Sequence, residues 1–332
     1  MKNGQSRFEF FLSRLQTLLA KAAMQKNPAL WLYQHDARTP LFMLEGLAKL
    51  YSGIHNKKIF EKLKEHFKLL EDTLGAIDYY DAFAKEFATN KKIPKEVTAY
   101  MQAQSREKIQ SLNEILTEKK WLGEDGKRIR KTRKKLSKAN WLDEKEEIKS
   151  IEEFYIKAIN SILEFINKKD YSFTDVENDV HEFRRKLRWL SIYPQALRGC
   201  IQLSKSKTAT AKTLNKYLTK EITGSKYNVM PDAGTLQVFL LLDKNRFYAL
   251  SWMIAELGRL KDNGLRAEAV KEALLQTSMK DEKAALTRAY KITGPGQLTI
   301  KQVLDTAQAL CKTYFKEKNL EALINGTAGI KK

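Results

Sequence analysis

Two histidines in this chain are each followed, three positions later, by an arginine. The pattern occurs first at His35 and Arg38 and again at His181 and Arg184. In the second case, at about 100° per residue, one helical face carries four donors: His181, Arg184, Arg185 and Arg188. A planar guanidinium group matches phosphate oxygens in a bidentate fashion, and a neutral imidazole can also donate a hydrogen bond. This spacing predicts a ladder of donors suited to an extended anion.

The first histidine motif is followed by a less basic helical face. We predict that three residues of this half contribute to the same site: His35, Arg38 and Lys49. The positions between them on that face are Phe42 and Glu45, which are not basic. Pro40 also removes one helical hydrogen bond, so a bend is expected here. The first half is therefore predicted to bind the anion more weakly than the second half.

An enzymatic site would need more ligands or nucleophiles than the sequence places together. The pair His35-Asp36 resembles the paired ligands of metal-dependent phosphohydrolases, but that pattern requires a histidine before the pair. The chain has neither a glycine-rich phosphate loop nor a nucleophile elbow. Its two cysteines, Cys200 and Cys311, lack metal-ligand spacing. We therefore expect a protein that is not an enzyme and has neither a metal nor a cofactor.

The overall charge points to an anionic partner. Among 332 residues there are 60 Lys and Arg but only 40 Asp and Glu, giving a formal charge of +20. Such an excess disfavours compaction by self-repulsion, and a negatively charged partner would offset it. Nucleic acid, anionic membrane and polyphosphate all qualify. A further basic run spans 127–138, where eight of twelve residues are Lys or Arg.

Apolar residues recur at spacings of three and four along most of the chain, which predicts an all-α fold without a sheet. With 43 % hydrophobic residues, the chain can form an ordinary core. Eight long helices are predicted, near 5–24, 28–53, 57–88, 95–119, 145–167, 175–203, 245–275 and 299–322. The segments between them at 118–140 and 204–234 break the periodicity, and we interpret them as a linker and an insertion.

The order of motifs indicates an internal duplication. In each half an amphipathic helix precedes the His-x-x-Arg helix, and a helix with Leu-Gly and a nearby Asp follows. These last elements are Leu74-Gly75-x-x-Asp78 and Leu257-Gly258-x-x-x-Asp262. The prediction is two pseudo-symmetric four-helix bundles. The N-terminal bundle spans 1–120, and a basic linker spans 121–144. The C-terminal bundle spans 145–332 and contains the insertion near 204–234.

These motifs resemble the CHAD family, the conserved-histidine α-helical domains. The resemblance covers nearly the whole chain and implies two helical bundles related by a pseudo-twofold axis. It also implies binding of inorganic polyphosphate without catalysis, through histidines and basic residues around a central cavity. The family has basic residues seven and ten positions after each histidine. Here Arg188 fits, whereas Ser191, Phe42 and Glu45 do not. The resemblance is therefore to a divergent member of that family.

Two other function classes stay open. A nucleic-acid-binding helical protein is the main alternative, although no zinc-finger, RNP-like or persuasive helix-turn-helix pattern is present. A purely structural or partner-binding helical protein, whose basic surface serves no anion in particular, is the second. The oligomeric state is not predicted.

The expected location is cytoplasmic. The N-terminus lacks an apolar signal-type segment. The longest run without a charged residue is ten, Ala233 to Leu242, and a spanning helix needs about twenty, so no membrane insertion is expected. For a polyphosphate-binding protein, this location would include polyphosphate granules.

Overall fold

The computed structural model describes residues 2–123, 126–205, 212–294 and 296–329. The protein is 74 % helical, which confirms the all-α class. In the first part of the described chain the helices are α1 Asn3–Ala23, α2 Pro28–Gln34, α3 Arg38–Ile54, α4 Lys57–Thr89, α5 Lys95–Glu118 and α6 Lys127–Leu136. In the remainder they are α7 Glu144–Lys168, α8 Glu182–Ala196, α9 Lys220–Thr223, α10 Lys244–Thr277, α11 Glu282–Thr293 and α12 Ile300–Lys316.

A small mixed sheet departs from the expectation of no sheet. Its strands are β1 Ile201–Ser204, β2 Val238–Asp243 and β3 Ile324–Gly329, in the order β1-β2-β3. β1 runs parallel to β2, with Ile201 opposite Leu240, and β3 runs antiparallel to β2, with Ala328 opposite Phe239. β2 is a short apolar run with two neighbours, a pattern that fits a buried strand as well as a helix segment.

The predicted helix 28–53 is interrupted immediately after His35. Asp36 takes a left-handed conformation with φ 54°, so α2 ends before it and α3 begins at Arg38. The Thr39 hydroxyl donates to the Asp36 carboxylate at 2.8 Å and holds this turn. Pro40 lies in the first turn of α3, where its missing N–H costs no helical hydrogen bond. Instead of the expected bend at the proline, the helix is therefore broken at a point before it.

The predicted helix 175–203 is also subdivided. It begins with a π-helical segment, Val176–His181, continues as α8 to Ala196, and its last residues form β1. Asp175 caps the π-helical segment, accepting from the Asn178 N–H at 2.6 Å.

Two further segments differ from the sequence interpretation. The region 127–138, expected to be a linker, contains helix α6, whose Ile129 and Leu136 are buried. Helix α11 was not predicted. The expected insertion at 204–234 contains short 3₁₀ segments and α9, although its residues 206–211 lie outside the described part.

One hydrophobic core extends through both predicted halves, from Phe8 on α1 to Leu323 just before β3. A second, smaller core joins the C-terminal part of α4 and the N-terminal part of α5 to α10 and α11, with Phe87 and Met101 facing Leu274 and Ala285. The helices that carry the candidate site are thus held by packing on both sides. Whether the two halves superpose as a duplication stays a prediction.

A buried polar network links three helices within the main core. Arg7 of α1 contacts Glu147 of α7 at 2.7 Å and donates to the Tyr51 hydroxyl of α3 at 2.8 Å. Tyr51 in turn donates to Glu147 at 2.6 Å. The side chains of Arg7 and Glu147 are 4 % and 2 % exposed, so each charge depends on the other for compensation.

Candidate anion-binding groove

A groove of about 1210 Å³ lies between α3, α4, α8 and α10. The π-helical segment before α8 forms part of its wall. Six of the seven residues predicted from the sequence line it: Arg38, Lys49, His181, Arg184, Arg185 and Arg188. The structure therefore brings together donors that are almost 150 positions apart in the chain, from both histidine motifs.

His35 is the exception. Its ring stacks on Trp31, with centroids 3.8 Å apart, and its Nδ1 lies 2.8 Å from the Trp31 carbonyl oxygen. It is exposed at the end of α2 and does not line the groove. The prediction that His35 and Arg38 share one helical face is wrong, because the left-handed turn at Asp36 separates the two residues.

Three arginines converge in the groove. Burial, together with the neighbouring charges of Arg184 and Arg38, lowers the pKa of Arg188 to about 10. Arg184 donates through Nε to the carbonyl oxygen of Ile254 at 3.1 Å, and burial lowers its pKa as well. In the described part of the chain, no carboxylate lies within ion-pair distance of Arg184 or Arg188. These two guanidinium groups thus keep unused donors in a partly desolvated place.

Arg188 lies at one end of a stack of four side chains. Its guanidinium carbon lies 4.5 Å from the centroid of the Phe42 ring. Phe42 stacks on Trp189 with centroids 5.0 Å apart, and the Lys49 ammonium lies 4.6 Å from the Trp189 ring. The aromatic pair is thus flanked by a cation at each end, an arrangement that favours both cations through the ring quadrupoles. Phe42, which the sequence suggested as a lost anion contact, instead packs against Arg188.

The Leu-Gly elements explain how the motif arginines reach the groove. A Cβ atom on Gly75 of α4 would lie 2.8 Å from Arg38 Nη2, so the absent side chain leaves room for the guanidinium group. Arg38 then contacts Glu71 at 2.7 Å and Asp78 at 3.2 Å. The preceding Leu74 is buried in the core. The second half has the same kind of contact, between Arg184 and Gly258 of α10.

The other two predicted donors of the second motif have acidic neighbours. His181 Nδ1 lies 2.8 Å from the Glu177 carboxylate, and this hydrogen bond lowers the pKa of Glu177. Arg185 contacts Glu182 at 3.1 Å, and half of its side chain is exposed. Both side chains are partly exposed at the groove, and each already has a carboxylate partner.

The groove is not uniformly basic, contrary to expectation. Its lining carries ten Lys and Arg and also ten Asp and Glu. Several cations are paired there, such as Lys68 with Asp72 at 2.6 Å and Arg266 with Glu86 at 2.5 Å. Sequence reasoning missed these residues. The α4 members recur at spacings of three and four, from Lys64 to Glu86, so a polar helical stripe was the available signal.

Two buried groups at the groove have shifted pKa values. Burial and the nearby Glu71 carboxylate together raise the pKa of Glu45 to about 7. Burial also lowers the pKa of Lys49 to about 8, opposed by the charge of Glu45. Glu45 is therefore partly neutral near pH 7, which reduces the negative charge beside the three arginines.

Within the described ranges, no group of three or more His, Cys, Asp or Glu side chains is arranged to hold a metal ion. No described helix is both long and apolar enough to cross a membrane.

No family model, curated protein or solved structure matches the chain.

Proposed function

We propose that the groove binds inorganic polyphosphate or a similar polyanion without catalysis. The observation that carries the proposal is the convergence of Arg38, Arg184 and Arg188. The residues come from both histidine motifs, and two of them have no carboxylate partner in the described chain. Like charges held close together in a groove are costly unless an anion compensates them.

The proposed site is the end of the groove formed by α3 and α8. There Arg184, Arg188 and Lys49 supply donors that are only partly used, with Arg185 and His181 at the rim. A charge-assisted hydrogen bond in such a place contributes roughly 1.5–3 kcal/mol, compared with about 0–1 kcal/mol for an exposed ion pair. Two or three such contacts suffice for measurable affinity.

The carboxylates between α4 and α10 restrict where the anion lies. Glu268 and Glu272 of α10 and Glu86 of α4 line that end. Glu86 and Glu268 are paired with Arg266 and Lys271, so this part of the groove offers a phosphate chain few free cations, and the bound segment is confined to the arginine end. A long chain would therefore be held over a few phosphates.

The same proposal accounts for the family resemblance. A CHAD member would combine two arginine-bearing motifs around a central cavity and would bind polyphosphate without hydrolysing it. We extend the proposal to the location that such a role implies, the cytoplasm and its polyphosphate granules.

A titration with polyphosphate of defined length tests the function. We expect the double variant Arg184→Ala/Arg188→Ala to bind more than tenfold more weakly, because each lost charge-assisted bond contributes more than about 1 kcal/mol. The matched control is Arg106→Ala/Arg288→Ala, which removes the same charge from two exposed positions outside the groove. Its affinity should change less than about twofold, since exposed charges are screened.

Circular dichroism should show unchanged helicity in both variants. Equal affinity of the groove variant and the control would refute the proposal. Hydrolysis of polyphosphate or nucleoside triphosphates by the purified protein would refute its non-catalytic part.

A further inference from the structure

Helix α6 carries the basic run of the sequence on a fixed surface. Its buried residues Ile129, Thr132 and Leu136 recur at a spacing of three and four, and the helix packs against α1. Arg133 fixes the orientation by contacting Glu9 of α1 at 2.6 Å. The apolar side of α6 is thus used for packing, and its other side faces solvent.

The solvent side of α6 is a stripe of lysines. It consists of Lys127, Lys131, Lys134 and, in the turn after the helix, Lys138. At 100° per residue these four positions fall within an arc of about 60°, and at 1.5 Å per residue they extend over roughly 16 Å. All four side chains are exposed.

A second set of cations adjoins the stripe. Arg128 Nη1 lies 3.4 Å from His66 Nε2 on α4, and burial with the charges of Arg128, Lys135 and Lys62 lowers the pKa of His66 to about 4. Lys131 in turn is close enough to lower the pKa of Lys135. No carboxylate of the described chain lies within ion-pair distance of Lys62, Arg128, Lys131 or Lys135. Within the described residues, this like-charge cluster therefore has no ion-paired carboxylate.

The α6 surface is separate from the groove. Lys64 and Lys68 of α4 line the groove, whereas Lys62 and His66 of the same helix face α6. A difference of two positions corresponds to about 200° around a helix, so the two sets lie on opposite sides of α4.

We propose that the α6 surface binds the phosphate backbone of duplex nucleic acid, as a site distinct from the groove. A convex stripe of exposed lysines offers point charges to a dense linear anion and gains affinity through counterion release. Among its described residues, the surface has no exposed aromatic side chain for stacking on unpaired bases, since Trp121 is buried beneath Arg128. The described residues of α6 also include no exposed apolar side chain that would enter a lipid surface.

The test measures the affinity of three variants for duplex DNA and for polyphosphate over a salt series. The α6 variant replaces Lys127, Lys131, Lys134 and Lys138 with Gln. The control replaces four exposed lysines of α11 and α12 with Gln: Lys283, Lys291, Lys312 and Lys316. Both variants lose four positive charges. The third is the groove variant Arg184→Ala/Arg188→Ala.

We expect the α6 variant to lose roughly tenfold or more in duplex affinity. The slope of log K against log salt should fall by about 0.9 for each lysine that contacts a phosphate. The control and groove variants should bind duplex as the parent does, and the α6 variant should keep its polyphosphate affinity.

Three results would overturn the proposal. The first is an α6 variant that binds duplex as tightly as the control. The second is an equal loss of duplex and polyphosphate affinity in the α6 variant, which would make the surface a general polyanion site. The third is binding of the parent to phosphatidylserine vesicles, lost in the α6 variant, without measurable duplex binding.

Discussion

The guanidinium group of Arg184 lies directly against Gly258, so that a Cβ atom on this glycine would be 3.0 Å from Nε of the arginine. The contact joins the His-x-x-Arg motif of α8 to the Leu-Gly motif of α10, 74 positions away in the sequence. Arg38 and Gly75 have the same relationship in the first half, at 2.8 Å to Nη2. These pairs link the short motifs to the groove and allow a test that separates anion binding from folding.

The first prediction concerns Gly258→Ala. The added methyl group would shift the Arg184 guanidinium by a few tenths of an ångström and disturb its bond to the Ile254 carbonyl oxygen, so polyphosphate affinity should fall several-fold. Alanine stabilises a helix interior by roughly 1 kcal/mol relative to glycine, and this gain offsets the cost of the close contact with Arg184. The free energy of unfolding should therefore change by less than about 1 kcal/mol. Titration and denaturation measure the two effects. Gly53→Ala on α3, which contacts only Phe154, is the control. Parallel losses of affinity and stability would contradict the site role.

The second prediction concerns the aromatic support of Arg188. Phe42→Leu keeps much of the apolar volume but removes the ring, so it should cost about 0.5–2 kcal/mol of cation–π stabilisation and weaken polyphosphate binding. Phe42→Tyr keeps the ring and should retain parental affinity. Unfolding and binding curves for both variants provide the measurement. Equal affinities of the Leu and Tyr variants would show that the ring does not support the arginine.

The third prediction concerns the buried pair of Arg7 and Glu147. Glu147→Gln would leave the Arg7 charge buried without its partner and should lower the free energy of unfolding by about 3–5 kcal/mol. Asp305→Asn breaks an exposed pair with Lys301 on α12 and should cost no more than about 0.5 kcal/mol. Urea denaturation compares them. A loss of less than about 1 kcal/mol for Glu147→Gln would mean that the network contributes little.

The fourth prediction concerns pH and Glu45. The pKa of this carboxyl is about 7 in the folded protein, compared with an ordinary value of 4.5, so the folded state binds more protons than the unfolded state between these values. The contribution of Glu45 to the free energy of unfolding is therefore fully present below pH 4.5 and is lost as pH rises through 7. The difference in unfolding free energy between Glu45→Gln and the parent should grow in favour of the variant from about pH 5 to 8. A pH-independent difference would contradict the shifted pKa.

The same groups govern the pH dependence of binding. Lys49 has a lowered pKa of about 8, so it gains charge as pH falls through 8 while Glu45 loses charge as pH falls through 7. Both changes make the groove more positive. Polyphosphate affinity should rise as pH is lowered from about 9 to 6, and Glu45→Gln should remove the part of this rise near pH 7.

Much of the fold could be predicted because its helices are amphipathic and long. The apolar spacing in α1, α4, α5 and α7 gave bounds within two residues of those observed. The breaks depended on local backbone states. The left-handed turn at Asp36 and the π-helical segment before His181 have no simple spacing pattern. The sheet depended on pairing between segments far apart in sequence, which local periodicity does not reveal.

The candidate site was predictable in part for the same reason. Arg184, Arg185 and Arg188 lie on one continuous helix, so spacing alone placed them together. His35 was misplaced because one residue with positive φ redirected the chain. The carboxylates of the groove, such as Glu71 and Glu268, come from α4 and α10, and only the packing of these helices against α3 and α8 brings them to the arginines.

The central strand of the small sheet has consequences for the order of assembly. β2 lies between a strand that precedes it by about 35 residues and one that follows it by about 80. During synthesis, β1 and β2 can pair early, but one edge of β2 stays open until residue 329 has left the ribosome. Loop closure over such separations is slow compared with helix formation. The helices are therefore expected to form first and the sheet to be completed last, with β3 closing an edge that would otherwise be available to another chain.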